Sequence, residues 1–536
     1  MNLDLSHLPE DQAFTKDDIA LLFGSYQEKI IGYQEKVHYL EERIRLLQNE
    51  LFGRKSEKRY PEGPHQQLPI FAQPFIQADP EQCATAKTIV VAEHQRIKRG
   101  RKALPEHLPR IEVIHDIAEE EKMCACGAAL SRIGQDSCEK LDYVPAKLQV
   151  VRHIRYKYAC KSCQGVEGDG PTVKIAPAAP ALIPKANATE GLLAHIVVAK
   201  IADGLPLFRQ EKIFARLGID LPRATMANWM VQASQCCLPL LDLLEAELKS
   251  GPLINMDETP LQVLKEPGRA NTTKSYMWVF CGGAPDHPSV LYRYHPTRSG
   301  EVALRFLDDY QGFIQSDDYG GYDYLGNLKS IVHMGCWAHA RRKFFDVVKV
   351  RKKHRGGGDH PKGLADEALE YIGKLYLIEK QIRQEQLKPD QIVERRRQQS
   401  VPILDEFKTW LDKSYPLTPP KGLLGMAMGY TLKNWQKLIV YTTNGLLRPD
   451  NNVAENAIRP FVLGRKNWLF AGHPNGAHAV AAFFSLIETA KANGLEPYAY
   501  LRCLFEHLPL IKDQASYRAL LPQYIDRCLV SRLPSN

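Results

Sequence analysis

Two acidic residues draw attention because of what precedes them. Leu253-Ile254-Asn255-Met256 is a short strand-like run leading into Asp257-Glu258-Thr259, and Gly312-Phe313-Ile314-Gln315-Ser316 leads in the same way into Asp317-Asp318. One acid at a strand end usually caps a loop, whereas two brought together repel unless a cation lies between them. The pair therefore points to divalent-metal chemistry. A third carboxylate would complete an oxygen-rich site for two Mg2+ ions, or Mn2+ in their place, suited to phosphoryl transfer. The segment in which to seek it is Asp450-Asn451-Asn452-Val453-Ala454-Glu455-Asn456-Ala457-Ile458-Arg459-Pro460. Asp450 can cap a helix there that carries Glu455 and Arg459 on one face.

Short strands and a helix surround the first two acids. Residues 276–281 and 289–294 read as two strands of a meander, 299–310 as a helix and 330–334 as a further strand. Three strands, a helix and two more strands, with an acid ending the first and the fourth, describe a ribonuclease-H-like core. Strands one and four are neighbours in that fold, which lets Asp257 and Asp317 face each other. Cys336-Trp337-Ala338-His339-Ala340-Arg341-Arg342 follows the last strand. His339 invites a role as metal ligand or proton shuttle, but magnesium prefers oxygen, so a structural or phosphate-contacting imidazole is the better reading. Cys336 reads as a small buried hydrophobe. From about 345 to 441 the pattern turns helical, with Tyr371, Ile372, Leu375, Tyr376 and Ile378 and then Leu404, Phe407, Trp410 and Leu411 at helical spacing. This stretch looks like an insertion that separates the third acid from the second.

The N-terminal half carries modules of other kinds. Phe23, Ile30, Val37, Ile44 and Leu51 alternate with Tyr26, Tyr33, Leu40 and Leu47 in an unbroken seven-residue repeat, so 1–58 reads as a coiled-coil helix that pairs two copies of the chain. Residues 59–115 form a linker rich in Pro and Gln. Near its end stands Arg96-Ile97-Lys98-Arg99-Gly100-Arg101-Lys102, in which Arg99, Arg101 and Lys102 suit a narrow DNA minor groove. Cys124-Ala125-Cys126 and Cys160-Lys161-Ser162-Cys163, joined by a strand-like stretch over 148–156, give 116–170 the look of a zinc ribbon. The one-residue spacer between Cys124 and Cys126 is shorter than usual, so Cys138, His115 or His153 is an alternative ligand. Over 185–240, a helix, a turn at Gly218-Ile219-Asp220 and a helix opening at Pro222 read as a helix-turn-helix. It would present Arg223, Thr225 and Asn228 to a major groove; an ordinary helical hairpin is the alternative.

The chain has 536 residues and a net charge of +8, with 44% hydrophobic and 25% charged residues, as expected of a multidomain globular α+β protein. Its acidic N-terminus lacks the pattern of a signal peptide, and its apolar runs are too short to span a bilayer, so a cytoplasmic protein without membrane contact is expected. Twelve cysteines are too few for a disulfide scaffold in a chain of this length.

Long motifs turn these readings into a resemblance. Leu51-Phe52-Gly53-Arg54-Lys55-Ser56-Glu57, Pro206-Leu207-Phe208-Arg209-Gln210, Asp257-Glu258-Thr259, the run 336–342, Asp450-Asn451-Asn452 and Arg465-Lys466-Asn467-Trp468-Leu469-Phe470, together with the cysteine pairs, resemble the insertion-sequence 66 family of bacterial transposases. The likeness covers nearly the whole chain. It implies a DDE transposase whose catalytic acids, and Mg2+ ligands, are Asp257, Asp317 and Glu455. Here Asp318 stands where the family pattern has glycine. Structural Zn2+ on Cys124, Cys126, Cys160 and Cys163 belongs to the same expectation. Its partners would be double-stranded DNA (terminal inverted repeats and target), a second copy of the chain, and accessory proteins encoded by the element; it would associate with the bacterial nucleoid when bound. Arg341 and Arg342, opening a run of eight Lys and Arg against one acid over 341–355, and Arg459, Arg465 and Lys466 near the third acid are expected phosphate contacts. The catalytic domain is taken as 250–495 and a C-terminal helical element as 496–536. Two other readings remain: a DNA-binding relative without catalysis, and a structure-selective nuclease on the same fold.

Overall fold

The computed structural model describes residues 148–155, 157–159, 173–175, 177, 179–317, 319–354, 362–511 and 513–531, together with most of 27–47. The chain divides into two compact units, one of residues 59–178 and the other of 1–58 with 179–536. In the smaller unit, β1 (Lys157–Ala159) pairs antiparallel with β2 (Val173–Ile175). The strand expected over 148–156 is displaced: residues 148–155 make no ladder, and pairing begins only at Lys157. The four paired cysteines, Arg99, Arg101 and Lys102 lie outside the described residues.

In the larger unit, the described part of 27–47 is helical. Its repeat positions Ile30, Tyr33, Val37, Leu40, Ile44 and Leu47 are exposed, while Leu46 on another face is buried. Glu42 there accepts the backbone N–H of Leu423 at 2.8 Å. Four helices follow: α1 (Glu190–Ile201), α2 (Leu207–Arg216), α3 (Arg223–Cys236) and α4 (Leu238–Lys249). The turn between α2 and α3 is made by Gly218 at φ 78°, a left-handed conformation that glycine adopts without strain. Pro222 is the N-cap of α3, one residue earlier than a first helical position.

The sheet is built from β3 (Leu253–Val263), β4 (Lys274–Ala284), β5 (His287–His295), β6 (Gly312–Gln315) and β7 (Ile331–Met334), with α5 (Gly300–Phe306) between β5 and β6. Its order is β5-β4-β3-β6-β7; β3, β4 and β5 are antiparallel neighbours, and β6 and β7 run parallel to β3. Asp257 does not end the first strand as expected. It lies inside β3, because β4 stays paired with that strand as far as Gln262, while the β6 side stops at the pair Asn255↔Gln315. Each of the two acids lies two residues beyond that pair.

Helices continue from the last strand. The insertion comprises α6 (Trp337–His354), α7 (Leu364–Gln384), α8 (Pro389–Arg395), α9 (Val401–Ser414), α10 (Leu423–Lys433) and α11 (Trp435–Ile439), with a π-helical turn (Arg396–Ser400) before α9. It has its own core, including Trp337, Phe344, Ile372, Phe407 and Trp435, separate from the cluster that joins the sheet to α1–α4. The chain then returns through α12 (Asn452–Trp468), β8 (Phe470–Ala471), α13 (Pro474–Ala492) and α14 (Pro497–His507). Strand β5 is a sheet edge, and α13 covers it. Ser485 Oγ accepts from Tyr292 N at 2.8 Å and Thr489 Oγ1 from Val290 N at 3.0 Å, so helix hydroxyls satisfy amides that no strand pairs. No helix among the described residues is long and apolar enough to cross a membrane.

Arg396 anchors the insertion to the returning chain. It forms a bidentate pair with Glu379, both side chains buried, and donates to the carbonyls of Tyr441 at 2.6 Å, Asn444 at 2.9 Å and Leu447 at 2.9 Å. Removing one member of a buried pair strands the other charge. Glu379→Ala is therefore expected to cost about 3–5 kcal/mol in chemical denaturation, and the double variant Glu379→Leu with Arg396→Met much less.

Candidate active site

The fold brings Asp257, Asp317 and Glu455 together from β3, the loop after β6 and the first turn of α12. Burial pushes the Asp257 carboxyl up to about 7, and the negative charges of Glu258, Asp317 and Glu455 add to the effect. Its Oδ1 accepts the backbone N–H of Glu258 at 2.8 Å. Asp317 Oδ1 accepts from Tyr319 N at 3.2 Å, and Asp318 lies outside the described residues. The N-cap of α12 is Asn451 in place of the expected Asp450, whose Oδ1 instead accepts from Asn452 N at 3.3 Å.

Asn451 does not cap with its side chain because that side chain is engaged elsewhere. Asn255 Nδ2 donates to Gln315 Oε1 at 2.7 Å and to Asn451 Oδ1 at 3.0 Å, and Asn451 Nδ2 donates to Met256 O at 2.9 Å. Gln315 Nε2 donates to Gly335 O at 3.1 Å and to Arg448 O at 3.0 Å. All three amides are buried. Each precedes one acid by a few residues: Asn255 in β3 before Asp257, Gln315 at the end of β6 before Asp317, and Asn451 at the N-cap of α12 before Glu455. The hydrogen bonds thus fix three backbones relative to one another a few residues from the three carboxylates. Asn255 and Gln315 were not among the residues expected to serve the site. The signal was available, since a lone amide in an otherwise apolar strand must find a buried partner.

Glu258 alternates to the other face of β3 and is buried. It accepts hydrogen bonds from Tyr322 Oη and Arg298 Nε. Arg298 stacks 3.7 Å from the Tyr319 ring centroid and reaches Asp317 Oδ2 at 3.8 Å. One guanidinium therefore neutralises the buried Glu258 and steadies the loop that carries Asp317.

Around Glu455 the donor set is mixed. Cys336 Sγ, a His339 ring nitrogen and a Glu455 oxygen lie within 4.8 Å of one another. Cys336 is already used: its sulfur accepts from Asn451 N at 3.2 Å, and burial pushes its thiol up to about 11, so it stays neutral. It is thus a hydrogen-bond acceptor as well as the small buried residue expected. His339 Nδ1 and Glu455 Oε1 face each other at 3.8 Å, both buried and without a hydrogen-bond partner, and burial lowers the imidazole pKa. Arg342 Nη2 lies 3.6 Å from Glu455 Oε2. An orphaned carboxylate oxygen near a carboxyl pushed up by burial and by its acidic neighbours suits a hard divalent cation.

The expected DNA contacts fall in several places. Arg223, Asn228, Arg342, Arg459 and Lys466 are exposed, and Thr225 and Arg341 are half-buried. Arg465 is turned inward: it donates to Thr259 Oγ1 at 3.1 Å and to the carbonyl of Pro260. Trp468 is half-buried and packs edge-on against Phe461.

Sheet and acid cluster together define a mixed α+β protein with a carboxylate centre, and comparison with known proteins gives the family. Residues 185–479 match the transposase IS66 family, 121–164 the zinc-finger binding domain of transposase IS66, and 485–523 the IS66 C-terminal element. Residues 39–113 match a segment described as transposase C of IS166 homeodomain. The uncharacterized protein y4jD of Sinorhizobium fredii is 36% identical over 432 residues, covering 78% of this chain and 80% of its own length. A second protein of that organism, y4qI, is 33% identical over 444 residues, covering 80% and 78%. The chain belongs to the transposase IS66 family.

Two outcomes follow from this geometry. An Asp held at about 7 when folded and 3.8 when unfolded contributes stability that is full below 3.8 and lost as pH rises through about 7. In metal-free protein, Asp257→Asn is expected to raise the melting temperature by an amount that grows over that interval and then levels off; excess Mg2+ should remove the advantage. Asn451→Ala should leave DNA binding intact yet weaken Mn2+ binding by roughly tenfold in calorimetry, as loss of a residue orienting metal ligands does.

Proposed function

We propose that this protein is a DDE transposase that cuts the ends of its own DNA element and joins them to target DNA. The sheet order, with its first and fourth strands adjacent, supports reading the core as ribonuclease-H-like. The observation that carries the proposal is the buried hydrogen-bond network through Asn255, Gln315 and Asn451, which ties together the three segments bearing Asp257, Asp317 and Glu455.

Asp257, Asp317 and Glu455 would hold two divalent ions, Mg2+ or Mn2+, which when bound activate the attacking oxygen and stabilise the leaving one. The chain's own residues do the rest. The amides of Asn255, Gln315 and Asn451 keep the carboxylates in register. Arg298 restrains the Asp317 loop. His339 and Arg342, beside Glu455, face the phosphate being cut and can donate to its oxygens. Water attacks first, forming a new P–O bond as the bond to the 3′-oxygen at the element end breaks and leaves a 5′-phosphate; the freed 3′-hydroxyl then attacks a target phosphodiester, joining to its phosphorus as the target's 3′-oxygen leaves. No covalent protein intermediate is needed.

Other modules would bring the DNA. Arg223, Thr225 and Asn228 on α3 suit a major groove, Arg99, Arg101 and Lys102 a minor groove, and Arg341, Arg459 and Lys466 the backbone. Zinc on the cysteine pairs would stabilise the small unit. The exposed heptad positions of 27–47 fit pairing with a second copy, which would hold two element ends together.

Asp257→Ala, Asp317→Ala and Glu455→Ala are each expected to abolish Mg2+-dependent cleavage of linear element ends while leaving DNA binding unchanged. Cleavage retained by Glu455→Ala would remove that residue from the site. Cutting at junctions without joined products would favour a nuclease, and binding without any cutting a non-catalytic relative.

A further inference from the structure

Magnesium does not account for every group beside Glu455. Cys336 and His339 stand three residues apart where the chain enters α6, on one side of the helix start; the carbonyl of Cys336 accepts from Ala340 N at 3.4 Å. The sulfur, the imidazole and one Glu455 oxygen lie within 4.8 Å of one another. His339 Nδ1 and Glu455 Oε1 are buried without a hydrogen-bond partner and face each other at 3.8 Å. Arg342 lies 3.6 Å from the other carboxylate oxygen, Oε2, so Oε1 is the one left for the imidazole side. Ligand atoms around one tetrahedral zinc ion stand roughly 3.3–3.6 Å from one another, given bonds of about 2.0–2.3 Å. Side-chain shifts of about 1 Å would therefore close these three groups on an ion.

The sulfur sits where a thiolate is favoured. It accepts from Asn451 N at 3.2 Å and also faces the backbone N–H groups of Ala338 and His339 at the start of α6. A helix N-terminus and its N–H donors stabilise negative sulfur, and a coordinated zinc ion removes the thiol proton outright. Sulfur, imidazole nitrogen and a single carboxylate oxygen are a donor set for zinc, whereas Mg2+ takes oxygen alone. Thiolate and carboxylate together balance the two charges of such an ion, which matters where unpaired charge is costly to bury.

We propose that Cys336, His339 and Glu455 bind one Zn2+ ion, with a fourth position left to water, and that this ion withholds Glu455 from the Mg2+ centre. The site stands on its own geometry; its effect on cleavage rests on the transposase reading. It is separate from the structural zinc expected on the cysteine pairs of the smaller unit. The His339 and Glu455 side chains are 25% and 22% exposed, so an ion enters from their side, with the buried Cys336 sulfur beneath. Bound zinc takes up the Glu455 oxygen that the acid cluster needs, and Mg2+ displaces it poorly because sulfur and imidazole offer magnesium little. Free zinc thus acts as an inhibitor of the metal-dependent reaction.

The test uses the full chain with Co2+ as a coloured stand-in for Zn2+, since a thiolate on Co2+ gives a charge-transfer band in the near ultraviolet. The parent protein, Cys336→Ser and His339→Gln, each checked for an unchanged melting temperature, are titrated in parallel. All three keep Cys124, Cys126, Cys160 and Cys163, so ions held there cancel in the comparison. The parent is expected to bind one more equivalent than either variant, and Zn2+ should displace it. In competition with a chelator, affinity for that equivalent should fall in the variants by more than the roughly 10–100-fold that loss of an orienting residue costs. Serine keeps a small acceptor for Asn451 N; should it still unfold the protein, His339→Gln decides. A folded variant that matches the parent in equivalents and spectrum overturns the site. A second arm follows cleavage of linear element ends in excess Mg2+ as Zn2+ is raised, each protein being referred to its own zinc-free rate. Cys336→Ser should need about tenfold more Zn2+ or higher for the same inhibition, and equal inhibition overturns the withholding of Glu455. A parent that cuts nothing without zinc sinks the transposase reading and with it the effect on cleavage, while the Co2+ titration still decides the site.

Discussion

Three carboxylates cannot be gathered in one place by their own interactions, because each repels the other two. Other groups must hold their backbones together, and in this protein the buried amides of Asn255, Gln315 and Asn451 do so. Their hydrogen bonds lie out of water, where an unmade bond would cost about 1–3 kcal/mol, so the arrangement is strongly specified. Most of the surrounding fold serves that contact. The pair Asn255↔Gln315 is the last rung between β3 and β6, and the insertion returns the chain so that Asn451 bonds to β3 and the carbonyl of Arg448 accepts from Gln315 of β6.

The electrostatics around the cluster are divided by face. Glu258 faces away from Asp257; its charge is met by Arg298, and Tyr322 donates a hydrogen bond to it. On the other face burial, helped by the neighbouring acids, pushes the Asp257 carboxyl up, and Glu455 Oε1 goes unbonded. A folded chain that tolerates such a deficit is less stable than it could be. Under the proposed function, a bound cation would relieve that deficit.

Much of this was legible in the residues, for reasons that differ from element to element. Strands β4 and β5 and the helices of the insertion announce themselves by apolar periodicity, which burial enforces. The acids Asp257 and Asp317 are visible because each follows a strand-like run. The length of β3 was not visible: Asp257-Glu258-Thr259 looks like a strand's end, yet pairing with β4 as far as Gln262 and with β8 at Val263 carries the strand on. Nor could the sequence tell which residue begins α12, because Asp450 and Asn451 are both good caps and only the tertiary partner of Asn451 decides between them. The inward turn of Arg465 was hidden as well; a cation near an acid in sequence reads as a surface contact until the strand beneath it is known.

The Arg396 anchor has a consequence for how such a chain can change over generations. Its guanidinium holds Glu379 and three main-chain carbonyls, of Tyr441, Asn444 and Leu447, and a carbonyl is supplied equally by any amino acid. At Asn444 the anchor places no demand on side-chain identity, whereas the Tyr441 ring lies 5.1 Å from the guanidinium and Leu447 packs in the insertion's core, so mutations can accumulate at 444 without displacing the last acid, provided the arginine and its glutamate persist. The geometry is inherited through two side chains and a length of backbone.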